Sequence, residues 1–429
     1  MSLFLLLALL GAPDEPTTLL VPPFSHTLGF QRIGGFYIKM YLGSQFRVDD
    51  PQGMCGAKMV EEDDPTTGRD DHILTMFGVN SGTGQVLYNV KLLRPGLYGT
   101  TGSDTGQFKR PRGICCNPAG DVYVADTDNN RVARLKYSNQ EVGWVSTLEH
   151  GLSRPHGVDL DSRGNVYVTD TGNDRLVVFD TEGAVRHEWP AGLEGPTGIA
   201  VLDRHAESNE YGHHHAVVID RAGTRVNKVS LSGQLVKRSD SRRVGLARAG
   251  FAYCAFDIHG NVYVTDSVNN QVHMFDPELQ YIVSYGRTDE FDSPRGIAIW
   301  RRFGQVFINE AGGGQYYWIG LDGYLIGCYP QQFDSRKPGT TIALYLTEVA
   351  DVTVSITGPG GKPVRTLTPP HHQKPGEALI VWDGRDDSGE LVPPGDYRIV
   401  AVIKPTYSKP KYTFKKELVG SVTRLPDPG

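Results

Sequence analysis

Three stretches of this chain are almost the same words. Gly120 opens GDVYVADTDNNRVARL, Gly164 opens GNVYVTDTGNDRLVVFD and Gly260 opens GNVYVTDSVNNQVHMFD. Each reads as an alternating apolar strand, a tight polar turn and a second strand. Aligning the acid that closes the first strand gives Asp126, Asp170, Asp220, Asp266 and Glu310, at intervals of 44, 50, 46 and 44 residues. A unit of several short strands cannot bury its apolar face alone, so copies at this period must stack on one another as propeller blades do. A further copy lies in front: DPQGMCGAKM from Asp50 matches RPRGICCNP at Arg110, and HILTMFGVNSGTGQVLYNV from His72 supplies its hairpin after the insertion VEEDDPTTGRDD. The expectation is an all-β chain, with a six-bladed β-propeller over residues 28–330 and a small antiparallel β-sandwich over 338–419.

The bulk numbers agree with two units. A chain of 429 residues exceeds one ordinary core, and 51 Gly with 27 Pro favour a turn-rich β-structure. A net charge of -6 leaves no general basic field for phosphate backbones, which argues against a nucleic-acid partner. The opening MSLFLLLALLGAPDEP runs apolar from Leu3 to Leu10 and then meets small residues, so residues 1–12 read as a secretory signal, although no Lys or Arg precedes the run. That reading places the protein in the periplasm, at the cell surface or outside the cell. Eight apolar residues cannot span a bilayer, and no other segment approaches that length, so no stable membrane span is expected. The five cysteines, Cys55, Cys115, Cys116, Cys254 and Cys328, form no C-x-x-C pair. They are expected as buried strand residues, with room for one disulfide in an exported protein.

The repeated phrases resemble NHL repeats, and the resemblance runs from Met54 to about Tyr329. It implies a six-bladed propeller of the NHL type. The recurrent acid has a structural reading: an Asp at a strand end accepts backbone N–H groups of the turn, while Asn and Gly tolerate its left-handed conformations. The run Asp126-x-Asp128-x-Asn130 starts like a calcium loop, but Arg131 stands where the tight Gly belongs.

The innermost strand of a blade lines the channel. The residue between Pro and Gly in each opening phrase therefore recurs around one mouth: Gln52, Arg112, His156, Thr197, Ala252 and Arg295. Two arginines and a histidine facing a common space suit a carboxylate or phosphate, because the guanidinium fork carries a charge that cannot be removed. Gln52, Arg112, His156, Thr197 and Arg295 are the candidate ligand-binding residues. The units also resemble the propellers of peptidyl-hydroxyglycine amidating lyases, whose zinc is held by inner-strand histidines. Here only His156 matches such a position, and a catalytic zinc needs about three protein ligands. No metal and no cofactor are expected. The run His213, His214, His215 alternates faces at a strand start, which keeps the three rings from one ion. The sequence has no G-x-S-x-G elbow, P-loop, H-E-x-x-H or dinucleotide fingerprint, so no catalytic residue is named.

Beyond residue 338 the chain changes to short strands joined by G-G, S-G and P-G turns. The phrases WDGRDDSG and VPPGDYRIVA resemble the immunoglobulin-like domain of flagellar hook-capping proteins. That resemblance places Trp382 in a core and gives Asp383, Asp386, Asp387 and Gly389 to a hairpin turn. The expected function is an exported binding or scaffold protein whose propeller faces or central mouth engage a protein, peptide, glycan or anionic ligand, with the insertions Glu61–Asp71 and Arg204–Gly212 as recognition loops. The competing expectation is a lyase or hydrolase of the amidating-lyase kind, with His156 as base or ligand and Arg112 and Arg295 holding an anionic substrate.

Overall fold

The structure is a computed structural model that describes residues 20–21, 32–63, 74–190, 192–209, 211–286, 290–302, 304–319, 323–406 and 415–427. The secretory-signal reading of residues 1–12 and most of the Glu61–Asp71 insertion lie outside them. The chain divides into two compact units, Pro22–Ile319 and a second that contains Gly320–Gly429.

In the first unit the repeats become antiparallel four-stranded sheets. The third repeat shows the pattern, with Pro155–Leu160, Val166–Asp170, Arg175–Phe179 and Val185–Trp189 hydrogen-bonded in chain order. Four more sheets of four strands begin at Pro51–Ala57, Ile114–Cys116, Ile199–Leu202 and Phe251–Phe256. A further sheet takes Ile297–Trp300, Gln305–Glu310 and Gly313–Ile319, and against the last of these pairs Arg32–Gly34 from the front of the unit. The segment after it, Gly323–Tyr329, pairs instead with Thr340–Leu346 in the other unit's sheet. The second strands are almost wholly buried, and wholly so in Val166–Asp170 and Val262–Asp266. Their apolar side chains pack between neighbouring sheets: Phe77 and Val79 share a core with Val122 and Val124, and Val166 and Val168 share one with Tyr123 and with Cys115 of a first strand.

The first strands neighbour one another in a closed cycle, from Pro51–Ala57 through each successive sheet to Ile297–Trp300 and back. Glycine makes that closeness possible. A methyl group on Gly157 would stand 2.2 Å from the Thr197 carbonyl oxygen, and one on Gly296 would stand 2.3 Å from that of Gln52. The Gly of each P-x-G phrase is thus where the backbone of the next sheet passes.

The recurrent acids hold this frame together. Asp126 is fully buried and accepts from the Lys109 N–H at 2.7 Å, the Asn129 amide at 2.8 Å and Arg131 Nε at 2.9 Å. Asp170 repeats the set with the Ser153 N–H, Asn173 and Arg175, and Asp220 with the Glu194 N–H and Arg225. Turn residues are thus only part of the explanation. A backbone donor comes from the segment leading into the same sheet's first strand, so each acid ties the sheet's start to its hairpin. Arg131 supplies beside Asp126 the positive charge that a cation would bring to a calcium loop.

The second unit has a three-stranded sheet of Gly323–Tyr329, Thr340–Leu346 and Gly376–Trp382, and a five-stranded sheet ordered Gln332–Phe333, Lys416–Arg424, Gly395–Pro405, Ala350–Thr357 and Pro363–Leu367. Their inner faces meet in one core that includes Ile342, Leu344, Val354, Trp382 and Ile399. Trp382 is fully buried and donates its indole N–H to the Arg385 carbonyl at 2.9 Å. Asp386 accepts from the Ser388 and Glu390 N–H groups, so the acids after Trp382 shape a turn.

Candidate functional site

The P-x-G phrases deliver their central residues to one end of the first-strand cycle. Pro fixes the chain as it enters the strand, and the following Gly lets the neighbouring strand approach, as the Gly113 N–H donation to the His156 carbonyl at 2.7 Å shows. Gln52, Arg112, His156 and Arg295 are brought together there.

A residue outside that pattern joins them. Asp50, just before Pro51, has a left-handed φ of 51°, and its carboxylate lies 3.5 Å from Arg112 and 3.6 Å from Arg295. The same carboxylate accepts from the Gln52 amide at 2.6 Å. Two guanidinium groups therefore share one carboxylate, and the mouth keeps an excess positive charge. Both arginines remain partly exposed, with 18% and 32% of their side chains open to solvent.

His156 stands behind them. Its ring centroid lies 5.7 Å from that of Tyr253, and among the described residues its buried Nδ1 has no hydrogen-bond partner. Burial, reinforced by Arg112, Arg295 and Arg154, pushes its pKa down to about 3. The imidazole is neutral at physiological pH. Tyr253 occupies the place in its phrase that the other units give to Gly, and its phenol donates to Gln52 Oε1 at 3.0 Å, across the channel. Burial drives the Tyr253 hydroxyl well above its ordinary range, so it stays protonated and donating. The Tyr253 ring is buried at this end beside His156.

Thr197 is placed differently. Its hydroxyl donates to the Ile219 carbonyl at 3.3 Å, and its own carbonyl accepts from Thr169 Oγ1 at 2.6 Å, so its polar atoms serve the frame. Ala252 brings no polar side chain.

The first strands open at their other ends on a cavity of about 440 Å³, lined among others by Cys55, Cys116, Asp159, Cys254 and Trp300. Asp159 accepts from the Val201 N–H at 2.6 Å, and burial raises its pKa to about 6. The Arg204–Gly212 loop is held beside this end: Arg301 donates twice to the Glu207 carbonyl, at 2.9 and 3.2 Å. The histidine run alternates as its strand requires. His213 and His215 stack edge to face at 5.8 Å, while His214 is exposed. Among the described residues, no three His, Cys, Asp or Glu side chains stand close enough to hold a metal ion. No described helix is long and apolar enough to cross a membrane.

Sequence reasoning missed Asp50 and Tyr253. The DDP run before the first phrase was a usable signal for Asp50, since it sets an acid two residues before the mouth position Gln52. The break of P-x-G to Ala252-Tyr253 was the signal for the other.

Comparison with known proteins agrees with this division of the chain. Residues 331–404 match the FlgD Ig-like domain, and residues 75–204 match the SMP-30/gluconolactonase/LRE-like region. No curated protein matches the chain. Among solved structures, a gluconolactonase from Xanthomonas campestris is 12% identical with a TM-score of 0.47, over 72% of this chain and 99% of that one. A streptogramin B lyase is 13% identical with a TM-score of 0.45, over 64% of this chain and 95% of that one. PorZ, a bacterial surface component of the type-IX secretion system of Porphyromonas gingivalis, is 12% identical with a TM-score of 0.45, over 91% of this chain and 54% of that one.

Proposed function

We propose that this chain is an exported binding protein on a six-bladed, NHL-type propeller whose channel mouth captures an anionic group of a peptide or protein partner. The observation that carries the reading is the sharing of Asp50 by Arg112 and Arg295. A ligand carboxylate would complete the charge balance and meet two partly exposed guanidinium forks. His156 Nδ1 would add a buried neutral partner, and Gln52 holds the Asp50 carboxylate in place. With Tyr253 across the channel, the ligand enters from outside and stops there. Thr197 contributes to the mouth's wall. The immunoglobulin-like unit and the signal-like opening support display outside the cytoplasm. The reading needs no cofactor.

The lyase or hydrolase reading asks more of His156 than its surroundings support. A base with a pKa near 3 takes up protons poorly at neutral pH, and the neighbouring Tyr253 hydroxyl is committed to Gln52.

The test is thermal unfolding of the full chain with succinate and with inorganic phosphate, beside the double variant Arg112→Gln/Arg295→Gln. An anion that binds only the folded state raises the melting temperature of the parent in proportion to the logarithm of its concentration and leaves the double variant unmoved. Equal shifts in both, or none in the parent, would defeat the reading.

A further inference from the structure

Cys55 and Cys116 lie 61 positions apart in sequence and belong to neighbouring first strands, Pro51–Ala57 and Ile114–Cys116. The Gly53 N–H donation to the Arg112 carbonyl at 3.0 Å brings these strands together, so residues a few places further on face each other. Strand alternation then selects the partner. Cys116 packs with Cys55 in the layer between the first and second sheets, beside Phe77 and Val122. Cys115 points the other way, into the layer containing Val158 and Val168. Of the groups around the Cys55 thiol, Cys116 acts on it most strongly.

Access separates the same pair from the rest. Of the four cysteines lining the 440 Å³ cavity at the end of the channel away from the arginines, Cys55 and Cys116 are partly exposed, whereas Cys115 and Cys254 are buried, as is Cys328 elsewhere. A small oxidant reaching that cavity meets two adjacent thiols.

We propose that Cys55 and Cys116 are a disulfide-forming pair that staples the first two sheets together beside the channel when the protein meets a small-molecule disulfide such as oxidised glutathione. One cysteine thiolate attacks the oxidant's S–S bond, giving a mixed disulfide and releasing one small thiol. The second cysteine attacks the protein sulfur of that mixed disulfide, loses its proton and releases the second thiol. The pair gives up two electrons and two protons in all, and the oxidant is reduced to two thiols. Cross-linking so long a loop restricts the unfolded chain, so the oxidised form should melt at a higher temperature. Burial pushes the Cys55 thiol well above its ordinary range, so the attacking thiolate is scarce and the bond should form slowly, faster as pH rises.

The test uses the full chain, reduced or incubated with oxidised glutathione, then denatured, alkylated and weighed. Of the five thiols, the reduced protein should label all and the oxidised protein two fewer. Proteolysis should give one linked peptide joining Cys55 to Cys116, lost on reduction. Oxidant should raise the melting temperature of the parent but not that of Cys55→Ser or Cys116→Ser. Full labelling after oxidant, a persistent glutathione adduct without a cross-link, or a bond to Cys115 instead would each overturn the assignment. The linked peptide is read in the parent protein, so its presence or absence decides the matter even where a serine variant folds poorly.

Discussion

The Tyr253 hydroxyl donates to Gln52 Oε1 at 3.0 Å, joining residues 201 positions apart in sequence. Tyr253 lies in the fifth sheet and Gln52 in the first, so the bond crosses the channel rather than following the cycle of neighbours. Tyr253→Phe should remove it, leave a buried acceptor unpaired and cost about 1 kcal/mol in urea unfolding. Tyr253→Gly removes the ring as well and should cost about 3–5 kcal/mol, the range for deleting a buried aromatic side chain. Equal losses in the two variants would place the whole contribution in the hydroxyl.

Close approach at the P-x-G phrases makes a second prediction. Gly157→Ala puts a methyl 2.2 Å from the Thr197 carbonyl oxygen and should destabilise by roughly 1–3 kcal/mol through forced backbone movement. Gly143→Ala meets nothing within 4 Å and should stay within about 0.5 kcal/mol of the parent. Chemical denaturation of both variants separates a steric cost from a general intolerance of alanine.

Asp170 is wholly buried against Arg175, Asn173 and the Ser153 N–H. Asp170→Ala would leave those donors facing an apolar methyl and should cost about 3–5 kcal/mol, as the loss of one partner from a buried ion pair does. Unaltered stability would show that the recurrent acid is not what holds the hairpin to the segment before it.

Acid stability includes two opposed contributions from residues of one first strand. His156 has a pKa of about 3 when folded against 6.5 unfolded; between those values the unfolded chain binds the extra proton. Its contribution is complete above pH 6.5 and is lost as pH falls toward 3. Asp159 runs the other way: its pKa rises from 3.8 to about 6 on folding, so its contribution is present below 3.8 and is lost as pH rises through 6. His156→Gln should therefore flatten the acid limb of stability between pH 6.5 and 3, and Asp159→Asn should steepen it. Melting temperatures across that range check both signs.

Much of the fold was legible because its rules are local. Asp126, Asn129 and Arg131 sit within one hairpin, and their spacing repeats in Asp170, Asn173 and Arg175. The mouth was legible in part for the same reason: counting P-x-G phrases placed Gln52, Arg112, His156 and Arg295 at one end of parallel first strands. Contacts that skip along the chain were not. Nothing around Arg32–Gly34 announces that it pairs with Gly313–Ile319, since a three-residue strand has no readable period. Asp50 acquires its role only when arginines from two other sheets reach it, and Thr197 matches the pattern while its polar atoms turn into the frame. The backbone donors to the acids come from Lys109, Ser153 and Glu194, across loops whose geometry the sequence leaves open.

The central claim is that Arg112 and Arg295 select a carboxylate, and calorimetric titration with N-acetyl-triglycine beside its C-terminal amide tests it most directly. The free acid should bind at least tenfold more tightly than the amide, and Arg112→Gln/Arg295→Gln should erase the difference. Equal affinity for acid and amide in the parent, or a preference that survives the double substitution, would contradict it.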